Sequence, residues 1–125
     1  MAGVSPTQNS LKWMRKMGYL SAVVERWNPV IKVRHDLFGI IDIIGVGNGR
    51  TIAVQSTSSS NLASRITKIQ ESDNIGALVD NGWIVIAQGW RKKKNRWVSR
   101  EYIVTKDTKE ELCQSTISNL PPKDL

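Results

Sequence analysis

Two polar side chains stand where the sequence around them is apolar. Asp42 interrupts Ile40-Ile41-Asp42-Ile43-Ile44, and Gln55 follows Ile52-Ala53-Val54. An ionised carboxylate in an apolar sheet is costly unless something compensates it. Two compensations suit this pair. In one, Gln55 donates its amide protons to Asp42. In the other, Asp42 binds a divalent cation and Gln55 adds a neutral oxygen. Hard cations such as Mg²⁺ take oxygen ligands of this kind, with waters and substrate phosphates completing the set. Two further groups have side chains suited to phosphate. Ser58, Ser60, Asn61 and Arg65 fall where a strand end meets a helix start, so hydroxyls, amides and free backbone N–H groups converge. N-capping by Ser60 or Asn61 is the structural alternative. Trp90 and Trp97 bracket Arg91, Lys92, Lys93, Lys94, Asn95 and Arg96, the most basic run in the chain. At a hairpin tip these cations would grip backbone phosphates, with affinity but no sequence choice. Their structural alternative is a solvated tip whose tryptophans pack on the core.

The turn between the two apolar runs sets the geometry of the first pair. Asn48-Gly49 between such runs is a strong hairpin signal. A two-residue turn there pairs Gly47 with Arg50, and counting back puts Asp42 opposite Gln55, with Cβ atoms about 4.5–5.5 Å apart. Thr57 shares the Gln55 face, because side chains alternate along a strand. Around this hairpin the patterning predicts a helix over 7–17, capped by Thr7 or Asn9 and stopped by Gly18. It also predicts a strand over 20–27, a strand in the later half of 33–46 with Gly39 as a bulge or close-approach position, and a strand over 50–57. Helices follow over 62–72 and 74–82, then strands over 83–90 and 97–104 joined as a hairpin across the basic run. The order implies one α/β (α+β) domain around a mixed central sheet over 1–106. Residues 107–125 read as a polar tail, partly helical or disordered.

A chain of 125 residues is long enough for one domain with a proper core. Its single cysteine, Cys113, excludes an internal disulfide and a cysteine-based zinc site. No apolar run approaches the ~20 residues of a spanning helix, and the N-terminus has no secretory pattern. A cytoplasmic setting is the expectation. Eighteen Lys and Arg against eleven Asp and Glu leave a net charge of +7, which favours a polyanionic partner, nucleic acid before membrane.

The order of the motifs adds a resemblance. A short first helix precedes GYLSAVVERW. After it come RHDLFGIIDIIGV, a tight turn, TIAVQSTS and a helix opening SNLASRITKI. This resembles the core of the PD-(D/E)XK nuclease superfamily, especially small phage and bacterial endonucleases related to Holliday junction resolvases, over roughly residues 10–90. The resemblance implies a restriction-endonuclease-like αβββαβ core and a metal-dependent DNA endonuclease using Mg²⁺ or Mn²⁺ on duplex or branched DNA. It also implies a homodimer. Asp42 takes the place of the family's strand aspartate, and Gln55-Ser56-Thr57 takes the (D/E)-X-K place. Gln55 therefore stands for the acid, which removes one negative charge from the metal site, and Thr57 stands for the lysine. On this reading Asp42, Gln55 and the Ser56 carbonyl hold the metal, and Glu25 or Asp36 supplies a second acid. Lys68, or Arg65 one turn earlier, replaces the missing lysine. Glu25 otherwise pairs with Arg26 or Lys32, and Asp36 with Arg34. Loss of both the acid and the lysine also suits a catalytically inactive module that binds DNA.

Overall fold

The computed structural model describes residues 5–112. Helix α1 (Pro6–Lys16) opens where the Ser5 hydroxyl accepts the Gln8 N–H at 3.2 Å. Ser5 is thus the cap, in place of Thr7 or Asn9; proline in the first turn needs no donor there. Gly18, at φ +87°, takes the left-handed conformation that ends the helix. The strands are β1 (Leu20–Val23), β2 (Arg26–Asn28), β3 (Val33–His35), β4 (Ile43–Gly47), β5 (Arg50–Ser58), β6 (Trp83–Lys93), β7 (Arg96–Val104) and β8 (Lys109–Leu112). A 3₁₀ turn (Ser59–Asn61), α2 (Leu62–Glu71) and α3 (Ile75–Asp80) form the crossover between β5 and β6.

Six strands form one mixed sheet in the order β1-β4-β5-β6-β7-β8, and β2-β3 is a separate two-stranded ribbon. Only β5 and β6 run parallel among the described strands, as expected where helices join them. Ile52 and Val54 face α1, packing with Leu11, Met14, Tyr19, Ile43 and Ile86. Ala53 faces the other way, into a core with Ile41, Leu62, Ile66, Ile69 and Val85. Two covered faces explain why β5 has no alternation of polar and apolar residues over 52–54. At Gly45 a Cβ would run into the end of the Met14 side chain, which would have to shift, so α1 approaches β4 closely at this glycine.

Four expectations are corrected. The strand over 20–27 is two strands: the Val24 N–H donates to the Asp42 carbonyl at 2.7 Å, after which the chain leaves the sheet and β2 pairs with β3. The strand through 33–46 resumes only at Ile43, because Leu37 and Ile41 close a tight turn with Phe38 at φ +54° and Gly39 at φ +77°. Gly39 serves this turn rather than a bulge. Arg91, Lys92, Lys93 and Arg96 lie on strands, since β6 and β7 extend to a turn at Lys94-Asn95, both at positive φ. Part of the polar tail is strand β8, whose Glu111 accepts from the Arg100 guanidinium at 2.9 Å and whose Leu112 packs on the α1-side core. The rest of that tail, with Cys113, lies outside the described residues. Among the described residues no helix is long and apolar enough to cross a membrane.

Candidate metal centre

The β4–β5 hairpin has the register set by its Asn48-Gly49 turn: Gly47 pairs with Arg50 and Ile43 with Val54. Asp42, one residue ahead of β4, is held by its N–H on the Val54 carbonyl at 2.8 Å and by its own carbonyl on Val24. Its buried carboxylate Oδ2 accepts the Gln55 Nε2–H and the Ser56 backbone N–H, each at 2.8 Å. The polar pair across the hairpin therefore forms as its register requires.

The β2–β3 ribbon adds the other acids. Pairing of Arg26 with His35 leaves Glu25 and Asp36 side by side at the ribbon's end. Carboxylate oxygens of Glu25, Asp36 and Asp42 lie within 4.8 Å of one another. Gln55 Nε2 also donates to Asp36 Oδ2 at 3.2 Å, and Lys68 Nζ reaches the same oxygen at 3.3 Å from α2. Arg34 pairs with Glu25 at 3.1 Å, not with Asp36; Arg26 and Lys32 do not take that place. Burial and the neighbouring Asp36 push the Asp42 carboxyl up to about 7, against the pull of the Ser56 and Gln55 donors. Burial also works against ionisation of Asp36. Its hydrogen bonds to Asp42 and Gln55 and the Lys68 ammonium outweigh that, and hold it below the usual carboxylate range. Below a pH of about 7 the pair thus keeps one proton between the two acids, as expected for close carboxyls of unequal burial.

Three carboxylates form a donor set of the hard-oxygen kind that Mg²⁺, Mn²⁺ or Ca²⁺ takes. Gln55 Oε1 is buried with no partner among the described residues. A half-turn of that amide would bring the oxygen to where Nε2 now meets the carboxylates. These residues therefore fit a divalent cation. Ser56 meets the cluster through its N–H, which donates to Asp42. Thr57 is buried, and the ammonium group on the cluster is that of Lys68.

The remaining candidates stand apart from this cluster. Ser58 and Ser60 share a hydroxyl contact at 3.1 Å, and neither the 3₁₀ turn nor α2 has a side-chain cap, so capping by Ser60 or Asn61 is not their role. Arg65 is half-buried on α2, while Arg91, Lys92, Lys93, Lys94 and Arg96 are all exposed. Sequence reading missed a second buried polar group, on the α1 face. Ser10 Oγ donates to Gln88 Oε1 at 2.6 Å and lies 2.7 Å from Ser56 Oγ; Trp90 Nε1 donates to it at 2.9 Å, and Gln88 Nε2 donates to Glu101 at 3.0 Å. The signal was present: Gln88 and Glu101 interrupt β-rich apolar stretches as Asp42 and Gln55 do. No family model, curated protein or solved structure matches the chain.

Proposed function

We propose that the protein is a metal-dependent nuclease that hydrolyses DNA phosphodiesters, in the manner of the PD-(D/E)XK enzymes its motif order resembles. The observation that carries this reading is the convergence of Glu25, Asp36 and Asp42 within 4.8 Å around the Gln55 amide, with Lys68 on the same cluster. Asp42, Asp36 and Glu25 would hold Mg²⁺ or Mn²⁺, with Gln55 Oε1 as a neutral donor. The ion supplies Lewis acidity and a bound water of lowered pKa. The Ser56 N–H fixes the Asp42 carboxylate in one rotamer. Lys68, half-exposed at the rim, orients the attacking water or neutralises charge developing on the phosphate. Arg91, Lys92, Lys93 and Arg96 hold backbone phosphates along the β6–β7 strands, and Ser58, Ser60, Asn61 and Arg65 offer further phosphate donors. DNA, duplex or branched, is the proposed substrate, and a homodimer the proposed assembly.

A second reading rests on a specific contact: the Gln55 amide donates to both Asp36 and Asp42, a compensation the protein makes from its own side chains. On that reading the protein is a DNA-binding module without activity. Cleavage of labelled duplex, single-stranded, flap and four-way-junction DNA with Mg²⁺, Mn²⁺ or EDTA separates the two, run beside Asp42→Asn. Metal-dependent cutting lost in the variant supports the nuclease. Salt-sensitive binding with no cutting under any metal supports the module.

A further inference from the structure

A groove of 290 Å³ lies between α1 and the β6–β7 hairpin, lined by Asn9, Lys12, Trp13, Lys16, Trp90 and Trp97 among others. Its volume is at the lower end of the roughly 300–1,000 Å³ of small-molecule sites. Three of the chain's five tryptophans meet here. Trp90 is buried and pinned by its indole N–H to Ser10, which the Ser56 and Gln88 side chains hold in turn, so this wall is fixed before any ligand arrives. Trp97 stays 36% exposed, and Lys92 Nζ sits 5.5 Å from its ring centroid. Lys12 and Lys16, one helical turn apart, have no acidic partner among the described residues. Asn9 is only 7% exposed, yet its Nδ2 has no hydrogen-bond partner among the described residues.

Indole faces beside ammonium groups are the chemistry that receives a nucleotide, with a base to stack and a phosphate to neutralise. A paired base inside a duplex has both faces covered by its neighbours and offers none to an indole. We propose that this groove captures an unpaired nucleotide of a single-stranded nucleic acid. The base stacks against Trp97 and Trp13, and its phosphate lies by Lys12 and Lys16. The proposal goes beyond the cleavage reading and does not depend on it, because the groove lies on the opposite face of the sheet from the Gln55 side chain.

The test is anisotropy of an end-labelled oligothymidylate titrated with the full chain in EDTA, where no metal-dependent cutting occurs. Unlabelled competitors are the same strand, a blunt duplex and thymidine monophosphate. Trp97→Ala and the double variant Lys12→Ala/Lys16→Ala should each weaken single-strand binding about tenfold or more, with little change for the blunt duplex. Trp97→Phe should restore most of the affinity, and Lys106→Ala, remote from the groove lining, should match wild type. Thermal melts check that each variant is folded; the lysine pair is exposed, so that variant remains informative if a tryptophan change disturbs the hairpin. Equal losses for single strand and duplex, unchanged single-strand affinity in the variants, or competition by the mononucleotide as strong as by the strand would overturn the proposal.

Discussion

The proton shared between Asp42 and Asp36 makes a pH-dependent prediction for the metal-free protein. In the folded state the Asp42 carboxyl titrates at about 7, against 3.8 for an unperturbed aspartate. Between those values the folded protein holds more protons than the unfolded one, so stability must fall as pH rises. The contribution from Asp42 is full below 3.8 and lost as pH passes through about 7. Asp36 has the opposite sign: its contribution is present above its unfolded value and is lost only as pH drops through its lowered folded value. The slope across the mildly acidic range therefore belongs to Asp42. Each unit of displacement is worth about 1.4 kcal/mol, so wild type should lose up to about 4 kcal/mol from mildly acidic to mildly alkaline pH in EDTA. Asp42→Asn mimics the protonated acid: its carbonyl can accept from Ser56 and Gln55, and its amide can donate to Asp36. The variant should lack the slope and be the more stable protein in alkaline EDTA. Urea unfolding at a series of pH values reads both curves. A divalent cation should then narrow that gap, adding about 2.7 kcal/mol to wild type alone at a hundred times its Kd. A flat wild-type profile, or an equally steep one in Asp42→Asn, would refute the shared proton.

Lys68→Ala should lower metal-dependent cleavage on the order of a hundredfold while costing under about 1 kcal/mol of stability, since the pair with Asp36 is partly exposed; single-turnover rates and urea melts check both. Gln55→Glu removes a donor shared by two carboxylates and adds a charge. It should lose about 1–3 kcal/mol in EDTA and show a larger Mn²⁺-induced rise in melting temperature than wild type. Gly45→Ala puts a methyl group against Met14 in the α1-side core. It should destabilise by about 1–3 kcal/mol, with the metal-induced shift unchanged.

The half of the site carried by the hairpin was legible because its cause is local. Asn48 at φ +53° and Gly49 at φ +73° make the turn that the dipeptide announces, and the register of Asp42 and Gln55 follows from it. The other half depends on contacts between distant segments. Glu25 and Asp36 meet because the chain leaves the sheet at Val24 and returns as a ribbon, an event no periodicity over 20–27 marks. Lys68 meets Asp36 only through the packing of α2 on the sheet. Whether Gln55 would donate or accept was open in the sequence, because its amide orientation follows from the acceptors that surround it. The strand extensions of the basic hairpin were hidden for a similar reason: lysine and arginine there are exposed on both faces, so no apolar alternation marks the pairing.

The Asn48-Gly49 turn also has a consequence in time. Asp42 and Gln55 are 13 residues apart, whereas Asp36 and Lys68 are 32 apart and separated by the whole hairpin. A hairpin forms within about 1–10 μs, while the parallel β5–β6 pairing must wait for α2 and α3 to close the crossover. The folding chain therefore brings the acid and the amide face to face first and receives the lysine last. Until α2 docks, the cluster of acids lacks the Lys68 charge that the finished centre carries.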